Sequence, residues 1–518
     1  MAAEPYYVTT PIYYVNDVPH IGHAYTTLAC DALARFMRLD GRHVKFLTGT
    51  DEHGQKVEKA ARDAGEEPMA FVDRNSARFR ELASVMGYTN DDFIRTTEDR
   101  HTRAVQHLWR VLHDKGEIYL GTYAGWYSVR DEAFYAENEL APGPNGKKVA
   151  PSGAEVDWVE EPSYFFRLSD WRDRLLAFYD AHPGFIAPES RRNEVVSFVK
   201  GGLQDLSVSR TSFTWGVPVP DDPAHVTYVW LDALTNYLTA VGYPDMKSDQ
   251  FTTFWPADLH MVGKDILRFH AVYWPAFLMA AGIAPPRRVF AHGWWTNEGR
   301  KISKSLGNVI DPHELVTRYG LDPVRYFLLR EVPFGNDGDF SHAAMVQRAN
   351  GDLANGIGNL AQRTLTLIQR NCDANVPEPE DLSEEDRNLL NDAGVRLVAS
   401  MRRDFQHQEF HKALQVHMAV VGEADAYIDR HAPWALRKTD PVRMATVLYV
   451  LAETIRNLAI LLQPVTPGAA SKILDQLALP PGARDFAHLG ESGALKPGTR
   501  LPKPEGVFPR LAEEPAGS

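Results

Sequence analysis

The sequence predicts an α/β protein, with a parallel sheet that is interrupted by an inserted domain and followed by a helix bundle. Residues 6–48 alternate between aromatic or β-branched runs and a helical run, which is typical of a βαβ unit. Short aromatic strands, Pro and Gly mark 119–224 as an insertion, and apolar residues at helical spacing mark 343–480 as a bundle. The expected divisions are 1–118 and 225–342 for the two halves of the sheet domain, 119–224 for the insertion, 343–480 for the bundle and 481–518 for a tail.

The composition limits the possible classes of protein. The 518 residues carry a formal net charge of −13, so any nucleic-acid binding should be confined to one local surface. No run approaches about 18 apolar residues, and the N-terminus lacks the pattern of a secretory signal, so we expect no membrane span and no export. The two cysteines, Cys30 and Cys372, fit a reducing cytoplasm and rule out an all-cysteine zinc site.

A Pro-containing turn with two histidines joins the first predicted strand, 6–10, to the first predicted helix, 24–39. In an open α/β sheet, ligands bind at the carboxyl ends of strands, and the free N–H groups of a helix start attract phosphate. His20, Gly22 and His23 therefore indicate a phosphate-binding corner. The alternative is that the two histidines only cap the helix.

Other polar side chains follow predicted strands along the chain. Asp51 comes at the end of the strand at 42–47, where it indicates either a site or a cap of the next helix. In the second half of the sheet domain, the predicted features are strands at 226–230, 259–263 and 289–292, and a basic, serine-containing loop at 299–305.

Two motifs together carry a resemblance to a known family. His20-Ile21-Gly22-His23 and Lys301-Ile302-Ser303-Lys304-Ser305 resemble the two signatures of the class I aminoacyl-tRNA synthetases. The chain is similar, within that class, to the methionyl-tRNA synthetases at 10–16, 50–54, 229–233 and 263–266, and the likeness extends into the bundle. The resemblance implies a Rossmann-type parallel-sheet catalytic domain, an inserted connective domain and a C-terminal α-helical anticodon-binding bundle.

The implied activity has two steps and takes ATP, with Mg²⁺, and L-methionine as substrates. The methionine carboxylate attacks the α-phosphorus of ATP to form methionyl-adenylate and pyrophosphate, and the methionyl group then passes to the 3′ end of tRNA(Met), initiator tRNA included. Fixed donors must offset the charge that develops on the phosphates. By resemblance, the catalytic donors are His20, His23, Lys301 and Lys304, and the further ATP-binding residues are Asn16, Gly22, Gly263, Asp265, Ser303 and Ser305.

The resemblance also implies a methionine pocket with an aromatic wall. Asp51 would pair with the α-ammonium group, and Tyr14 and His270 would offer O–H or N–H donors to the thioether sulfur, a weak acceptor. Each aromatic residue, taken alone, also fits a plain core position. The remaining residues expected to line the pocket are Ile12, Trp230, Ala233, Tyr237, Ile266, Phe269 and Trp274. Leu234 stands where many family members carry proline.

In the bundle, Asn359 and Arg363 match the family's anticodon-reading pair, and Pro433 and Trp434 match its second element. An exposed Trp can stack on an unpaired base, while Arg and Asn can contact base edges. The alternative is that Trp434 is a core residue and Arg363 a solvated charge.

The insertion departs from the pattern of many relatives, because it lacks the Cys-x-x-Cys pairs that bind zinc. We therefore expect no structural metal and an insertion held by packing, and, without an extra dimerising domain, a cytoplasmic monomer. A leucyl-type synthetase is disfavoured by the short insertion, and a cysteinyl type by the missing cysteines. The rival outside enzymes is a paralogue that binds tRNA without catalysis, which the retained motif residues argue against.

Overall fold

The structure is a computed structural model that describes residues 3–16, 18–131, 133–302 and 308–512, with their side chains apart from those of residues 145 and 301. Its central element is a seven-stranded, wholly parallel sheet. The elements before the insertion are the strands Pro5–Thr9 (β1), Tyr13–Tyr14 (β2), His43–Asp51 (β3) and Asp92–Arg95 (β4), and the helices Ile21–Leu39 (α1), Gln55–Asp63 (α2), Pro68–Val85 (α3) and Asp99–Asp114 (α4).

The insertion is built on a long antiparallel hairpin. Its strands are Ile118–Ser128 (β5), Ala133–Tyr135 (β6), Ala141–Pro142 (β7), Lys148–Val149 (β8) and Glu155–Phe166 (β9). β5 pairs with β9 from the Ile118–Phe166 pair to the Tyr127–Asp157 pair. A small apolar cluster around Ala150, Ala154 and Val156 packs under Trp126 and closes the far end.

The chain then returns to the sheet domain earlier than the sequence predicts. The elements that follow are Arg172–Ala181 (α5), Ile186–Ala187 (β10), Glu189–Lys200 (α6), Leu206–Ser207 (β11), Ser209–Arg210 (β12) and Val226–Thr227 (β13). β10 forms the edge of the parallel sheet, and Trp171 and Val199 are buried in the core of that domain. The segment 168–201, which the sequence assigned to the insertion, therefore packs with the sheet domain, and the base of the hairpin joins the same core, where Phe166 of β9 stacks on Trp171.

The second half of the sheet domain contains two further parallel strands. The elements are Val229–Leu234 (α7), Asn236–Thr239 (α8), Asp249–Phe254 (α9), Leu259–Gly263 (β14), Trp274–Ala281 (α10), Val289–His292 (β15), Trp295–Asn297 (β16), Arg300–Lys301 (β17), Pro312–Tyr319 (α11), Leu321–Arg330 (α12) and Gly338–Phe340 (β18). β13 pairs antiparallel with β12. The strand that we predicted near 226 thus exists, but it lies outside the parallel sheet.

The strand order in the parallel sheet is β10-β15-β14-β1-β3, and both β2 and β4 pair with β3. The chain runs from β1 to β3 on one side, and β14 lies on the other side of β1. The carboxyl ends of β1 and β14 therefore flank the point where the winding direction reverses, which is the usual position of a ligand crevice in such sheets. The predicted parallel-sheet α/β domain is confirmed.

The C-terminal part is helical, as predicted. Its helices are His342–Arg348 (α13), Asn359–Asn371 (α14), Glu384–Asn391 (α15), Leu397–Gln406 (α16), Phe410–His431 (α17), Pro433–Thr439 (α18), Pro441–Leu462 (α19) and Pro467–Gln476 (α20), with π-helical turns at Ala349–Gly358 and Asp392–Arg396. In the described chain, α19 alone is long and apolar enough to cross a membrane, but 89% of its apolar window is buried in the bundle. Leu489, Leu495 and Leu501 of the tail are also buried against this core.

Arg325 joins the bundle to the first helix of the sheet domain. Its fully buried guanidinium donates to the Asp31 carboxylate at 2.7 Å, to the Met86 carbonyl at 3.0 Å, and to the Pro464 and Val465 carbonyls at 2.9 Å. Burial alone would raise the pKa of Asp31, but the charges of Arg325 and Arg35 outweigh it and hold that pKa below its usual value. Asp31 and Arg325 therefore form a buried ion pair, and each of the three guanidinium nitrogens of Arg325 donates to an oxygen.

Replacing Arg325 with Met should lower the free energy of unfolding by about 3 kcal/mol, because Asp31 loses its main partner while staying buried. Urea titration followed by circular dichroism measures the change. The matched control is Arg402→Met, which removes an exposed pair with Asp40 between the same two parts of the chain and should cost less than about 1 kcal/mol. Equal losses in the two variants would contradict a special role for the buried pair.

Candidate active site

A cavity of about 410 Å³ opens at the reversal point of the sheet. The turn before α1, the end of β3, α7 with α8, and the segment after β14 surround it. Of the residues that the sequence predicts for methionine or ATP, those lining the cavity are Ile12, Tyr14, Asn16, His20, Gly22, His23, Asp51, Trp230, Ala233, Tyr237, Gly263, Asp265, Ile266 and His270. The fold thus brings residues as far apart in the sequence as Ile12 and His270 into one cavity.

His20 and His23 are held by the backbone at the start of α1. His20 is the N-cap, and its Nδ1 accepts from the Gly22 N–H at 3.1 Å, while His23 Nδ1 accepts from the His20 N–H at 3.1 Å. A Cβ on Gly22 would lie 2.9 Å from the His20 ring, so the turn needs glycine here. The two histidines therefore do cap the helix, as the alternative interpretation held, and the capping bonds fix the orientation of both rings.

Burial determines the charge of the two rings, and the capping hydrogen bonds determine which nitrogen carries the proton. Burial lowers the pKa of His20, and burial followed by the proximity of His20 lowers the pKa of His23 well below its usual value. Both imidazoles are thus neutral near pH 7. Because Nδ1 accepts a backbone N–H in each ring, the proton must sit on Nε2. Two neutral N–H donors therefore belong to the wall of the cavity, beside the start of a helix.

Asp51 ends β3 and is 2% exposed. The helix that follows begins at Gln55 with Gly54 as its N-cap, so the interpretation of Asp51 as the cap of that helix is wrong. A carboxylate that is buried at the carboxyl end of a strand and lines the cavity is well placed to bind a cation such as an ammonium group.

The apolar wall has two layers. Trp230 faces the cavity, and Phe269 stacks on it with ring centroids 3.5 Å apart and planes 7° from parallel. Trp274 is fully buried and donates its indole N–H to His260 at 3.3 Å. Phe269 and Trp274 were predicted to line the pocket, but neither is among the residues that line the cavity: Phe269 stacks on Trp230, and Trp274 is fully buried.

His270 differs from its predicted role as a donor to sulfur. Its Nδ1 lies 2.9 Å from the Ile266 carbonyl and its Nε2 lies 2.7 Å from the Tyr237 hydroxyl. Burial lowers the pKa of His270 to about 4, so the ring is neutral, Nδ1 donates to the carbonyl and Nε2 accepts from Tyr237. Both ring nitrogens of His270 are thus hydrogen-bonded to protein groups, and the bond to the Tyr237 hydroxyl orients Tyr237.

The opposite side of the cavity is polar. Gly263 ends β14, and Asp265 follows two residues later with an exposed carboxylate. A Cβ on Gly263 would lie 2.5 Å from Asp265 Oδ1, so a larger residue here would displace the Asp265 carboxylate. The Trp294 indole N–H donates to that same oxygen at 3.2 Å, and His292 ends β15 nearby.

The lysine loop is described only in part. Lys301 pairs through its backbone with Thr296, and the structure describes nothing of its side chain. Ser303, Lys304 and Ser305 lie outside the described residues. Their predicted contacts with ATP remain predictions.

Comparisons with known proteins agree on one family. The family model "tRNA synthetases class I (M)" matches residues 6–365, and the model "Anticodon binding domain of methionyl tRNA ligase" matches residues 376–517. The methionine–tRNA ligase of Mesorhizobium japonicum is 57% identical over 518 residues, with all of both chains covered. That of Brucella suis is 56% identical over 513 residues, with 99% of each chain covered.

Solved structures give the same result. The methionyl-tRNA synthetase of Mycobacterium tuberculosis in complex with methionyl-adenylate is 54% identical and superposes with a TM-score of 0.95, covering 98% of this chain and 100% of that one. The apo form of the same enzyme is 50% identical and gives a TM-score of 0.90, covering 99% of each chain.

The chain belongs to the methionyl-tRNA synthetase family. It is thus an aminoacyl-tRNA ligase, and its activity is that of a methionine–tRNA ligase.

Of the bundle residues that the sequence predicts for the anticodon, Asn359 and Trp434 are exposed, Arg363 is partly exposed and Pro433 is buried. Trp434 is 48% exposed, so the alternative of a core tryptophan is wrong. The Arg363 guanidinium lies 5.8 Å from the centre of the Trp434 ring and donates to the Asp429 carboxylate at 2.8 Å. Asn359 is exposed at the start of α14, and buried Pro433 starts the helix that carries Trp434.

Several residues that line the cavity were not predicted as site residues of this methionyl-tRNA synthetase family member. They are Pro11, Tyr13, Thr26, Lys56, Leu234, Asn236, His292 and Trp294. His292 could have been found, because it ends a predicted strand as Asp51 does. Trp294 had no such signal, since a loop residue two positions beyond a strand can face any direction.

Proposed function

We propose that this chain activates L-methionine with ATP in the cavity at the sheet reversal point and transfers the methionyl group to the 3′ end of tRNA(Met). The observation that carries the proposal is one cavity lined by a buried carboxylate, an aromatic wall and two neutral histidines at a helix start. An amino acid with an apolar side chain needs an anionic partner for its ammonium group and an apolar wall, and a nucleotide phosphate needs N–H donors. The same cavity is lined by all three kinds of group.

In the first step, Asp51 binds the α-ammonium group and the side chain of methionine packs on Trp230 and Ala233. This arrangement aims the methionine carboxylate at the α-phosphorus of ATP. A carboxylate oxygen forms the new bond to phosphorus, the bond to the bridging oxygen breaks, and pyrophosphate leaves. His20 and His23 donate their Nε2–H groups to the phosphate oxygens, where negative charge accumulates.

The nucleotide lies on the polar side of the cavity. Gly22 and Gly263 let it approach the backbone, and Asp265, held by the Trp294 indole, accepts from the ribose hydroxyls. Asn16 lies beside the turn that bears the histidines. Mg²⁺ is expected to enter with the ATP phosphates and to neutralise part of their charge. Within the described ranges, no group of three or more His, Cys, Asp or Glu side chains is arranged to hold a metal ion.

Selection of methionine rests on the fit of its side chain. The stacked Trp230 and Phe269 form a rigid flat wall, and Tyr237, whose hydroxyl is engaged with His270, presents its ring. A hydrophobic pocket discriminates by about 1–3 kcal/mol per methylene, which favours methionine over shorter apolar amino acids. Tyr14 is the proposed donor to the sulfur, since both nitrogens of His270 are occupied.

In the second step, the terminal ribose hydroxyl of tRNA attacks the carbonyl carbon of the adenylate, and AMP leaves. The bundle recognises the anticodon through Trp434, Arg363 and Asn359, while the catalytic cavity receives the acceptor end. Initiator and elongator tRNA are both served, because the proposed contacts are with the anticodon. The proposed setting is the cytoplasm, where the chain acts as a monomer with a zinc-free insertion.

Replacing Trp434 with Ala should reduce kcat/KM for tRNA charging by about 10- to 100-fold, since a base that stacks on an aromatic ring gains about 1–3 kcal/mol. Exchange of pyrophosphate into ATP, which needs no tRNA, should stay unchanged. Val442→Ala is the control, because Val442 has a similar exposure of 49% in the same bundle and no role in the proposal. Equal loss of both reactions would show that Trp434 acts through the fold.

The proposal is tested by charging purified tRNA(Met) transcripts with labelled methionine. The expected result is methionylation of the initiator and elongator transcripts, and none of a transcript whose anticodon is replaced. Methionylation that ignores the anticodon would contradict the recognition assigned to the bundle. No methionylation of either tRNA would contradict the function itself.

A further inference from the structure

Three buried polar side chains form a continuous hydrogen-bonded array behind the cavity. Asp232 Oδ2 lies 2.7 Å from His53 Nδ1, Asp232 Oδ1 lies 2.7 Å from His101 Nε2, and His101 Nδ1 lies 3.0 Å from the Thr239 hydroxyl. Asp232 and His101 are fully buried and His53 is 7% exposed. None of the three lines the cavity, and the steps above use none of them.

The chemistry of the array is that of a fixed acceptor between two donors. An ionised carboxylate can only accept, so each histidine must present an N–H to it, at Nδ1 of His53 and at Nε2 of His101. Burial alone would raise the pKa of Asp232, but the two histidines outweigh it and bring that pKa to about 2. The carboxylate therefore stays ionised throughout the physiological range, and both bonds are charge-assisted.

The array joins the elements that carry the two halves of the proposed methionine site. His53 lies two residues after Asp51, just beyond the end of β3, and its ring meets Trp215 edge to face with centroids 5.7 Å apart. Asp232 lies on α7 between Trp230 and Ala233. Thr239 lies on α8, which also carries Tyr237, so the array reaches both helices of the apolar wall.

We propose that the His53–Asp232–His101 array is a positioning device that sets the distance between Asp51 and the apolar wall, and so determines how well methionine fits. This inference rests on the proposed function, because it assumes that Asp51 binds the ammonium group. The array connects the carboxylate side of the site to the thioether side, and none of its hydrogen bonds or ion pairs reaches Gly263 or Asp265. Its effect therefore falls on methionine and not on ATP.

The first test is Asp232→Asn, measured by methionine-dependent exchange of pyrophosphate into ATP. The amide keeps the size of the carboxylate but presents one acceptor and one donor in place of two charged acceptors, so one histidine must turn or change its tautomer, and both bonds lose their charge assistance. We expect the KM for methionine to rise about tenfold while the KM for ATP changes less than about twofold, because small misplacements of a binding group are costly. The control is Asp386→Asn in the bundle, an equally buried carboxylate bound by Tyr427 and Arg443.

The second test separates the N–H donor from the rest of the ring. The amide nitrogen of Asn can occupy the position of a histidine Nδ1, so His53→Asn keeps the donor to Asp232, whereas His53→Ala removes it. We expect the KM for methionine to stay near the wild-type value in His53→Asn and to rise about tenfold in His53→Ala. If Asp232→Asn fails to fold, the two His53 variants still test whether the array positions the methionine site.

The outcomes distinguish this inference from the proposed function. If wild-type protein shows no methionine-dependent exchange, the proposed function fails. If wild type exchanges but Asp232→Asn and His53→Ala keep their KM for methionine, or raise the KM for both substrates equally, the positioning role is overturned. A lower melting temperature with unchanged KM values, as expected for Asp386→Asn, would assign the array to stability alone.

Discussion

Replacing Asp51 with Asn should lower kcat/KM for methionine in pyrophosphate exchange by about two to three orders of magnitude, because losing one partner of a buried charge pair costs about 2–5 kcal/mol. Asp51 is 2% exposed, so little water can take its place beside the ammonium group. The substitution keeps the shape of the side chain and removes only its charge. The KM for ATP should change little, since Asp51 lies on the amino-acid side of the cavity.

The control uses a substrate without the ammonium group. With 4-(methylthio)butanoate, which is methionine lacking its amine, the wild type and Asp51→Asn should perform alike, because no charge pair forms in either. A loss in the variant that is the same with both substrates would place the role of Asp51 in the fold of the β3 end.

Replacing His20 with Asn should lower kcat for exchange by about 10²- to 10³-fold, the usual cost of losing one donor to a developing oxyanion. Asn is among the best N-cap residues, so its side-chain oxygen can accept the Gly22 N–H in place of Nδ1. The donor at Nε2 is lost, while the cap is kept. This variant therefore separates the capping role of the ring, which the structure shows, from its proposed role as a donor to phosphate.

Thermal unfolding of the same variant provides the control. We expect His20→Asn to unfold within a few degrees of the wild type, because the helix start keeps its cap. Wild-type exchange rates in this variant would mean that His20 only caps α1, and the phosphate role would fall to other groups.

The sequence allowed the parallel sheet and the bundle to be predicted, because hydrophobic periodicity and the order of elements determine both. It did not locate the end of the insertion. The segment around Trp171 and β10 has the same aromatic, Pro- and Gly-rich texture as the hairpin, and only tertiary packing shows that it completes the sheet edge. Composition cannot locate a boundary between two neighbouring segments that bury similar residues, here partly in the same core.

The candidate site was predictable where residues follow strands or start a helix, as His20, Asp51 and Asp265 do. It was not predictable where the direction of a side chain depends on local helix geometry. In the π-helical turn, Phe269 stacks on Trp230, and both ring nitrogens of His270 have partners inside the protein. Trp294 was missed because its contact with Asp265 joins a loop to a short 3-10 helical turn, for which sequence spacing gives no register.

The central claim is that this cavity forms methionyl-adenylate, and the amino-acid dependence of pyrophosphate exchange into ATP tests it most directly. Purified protein should be assayed with each of the twenty amino acids under identical conditions. The account predicts exchange with methionine far above that with any other amino acid. Exchange driven best by a different amino acid, or by none of the twenty, would contradict it.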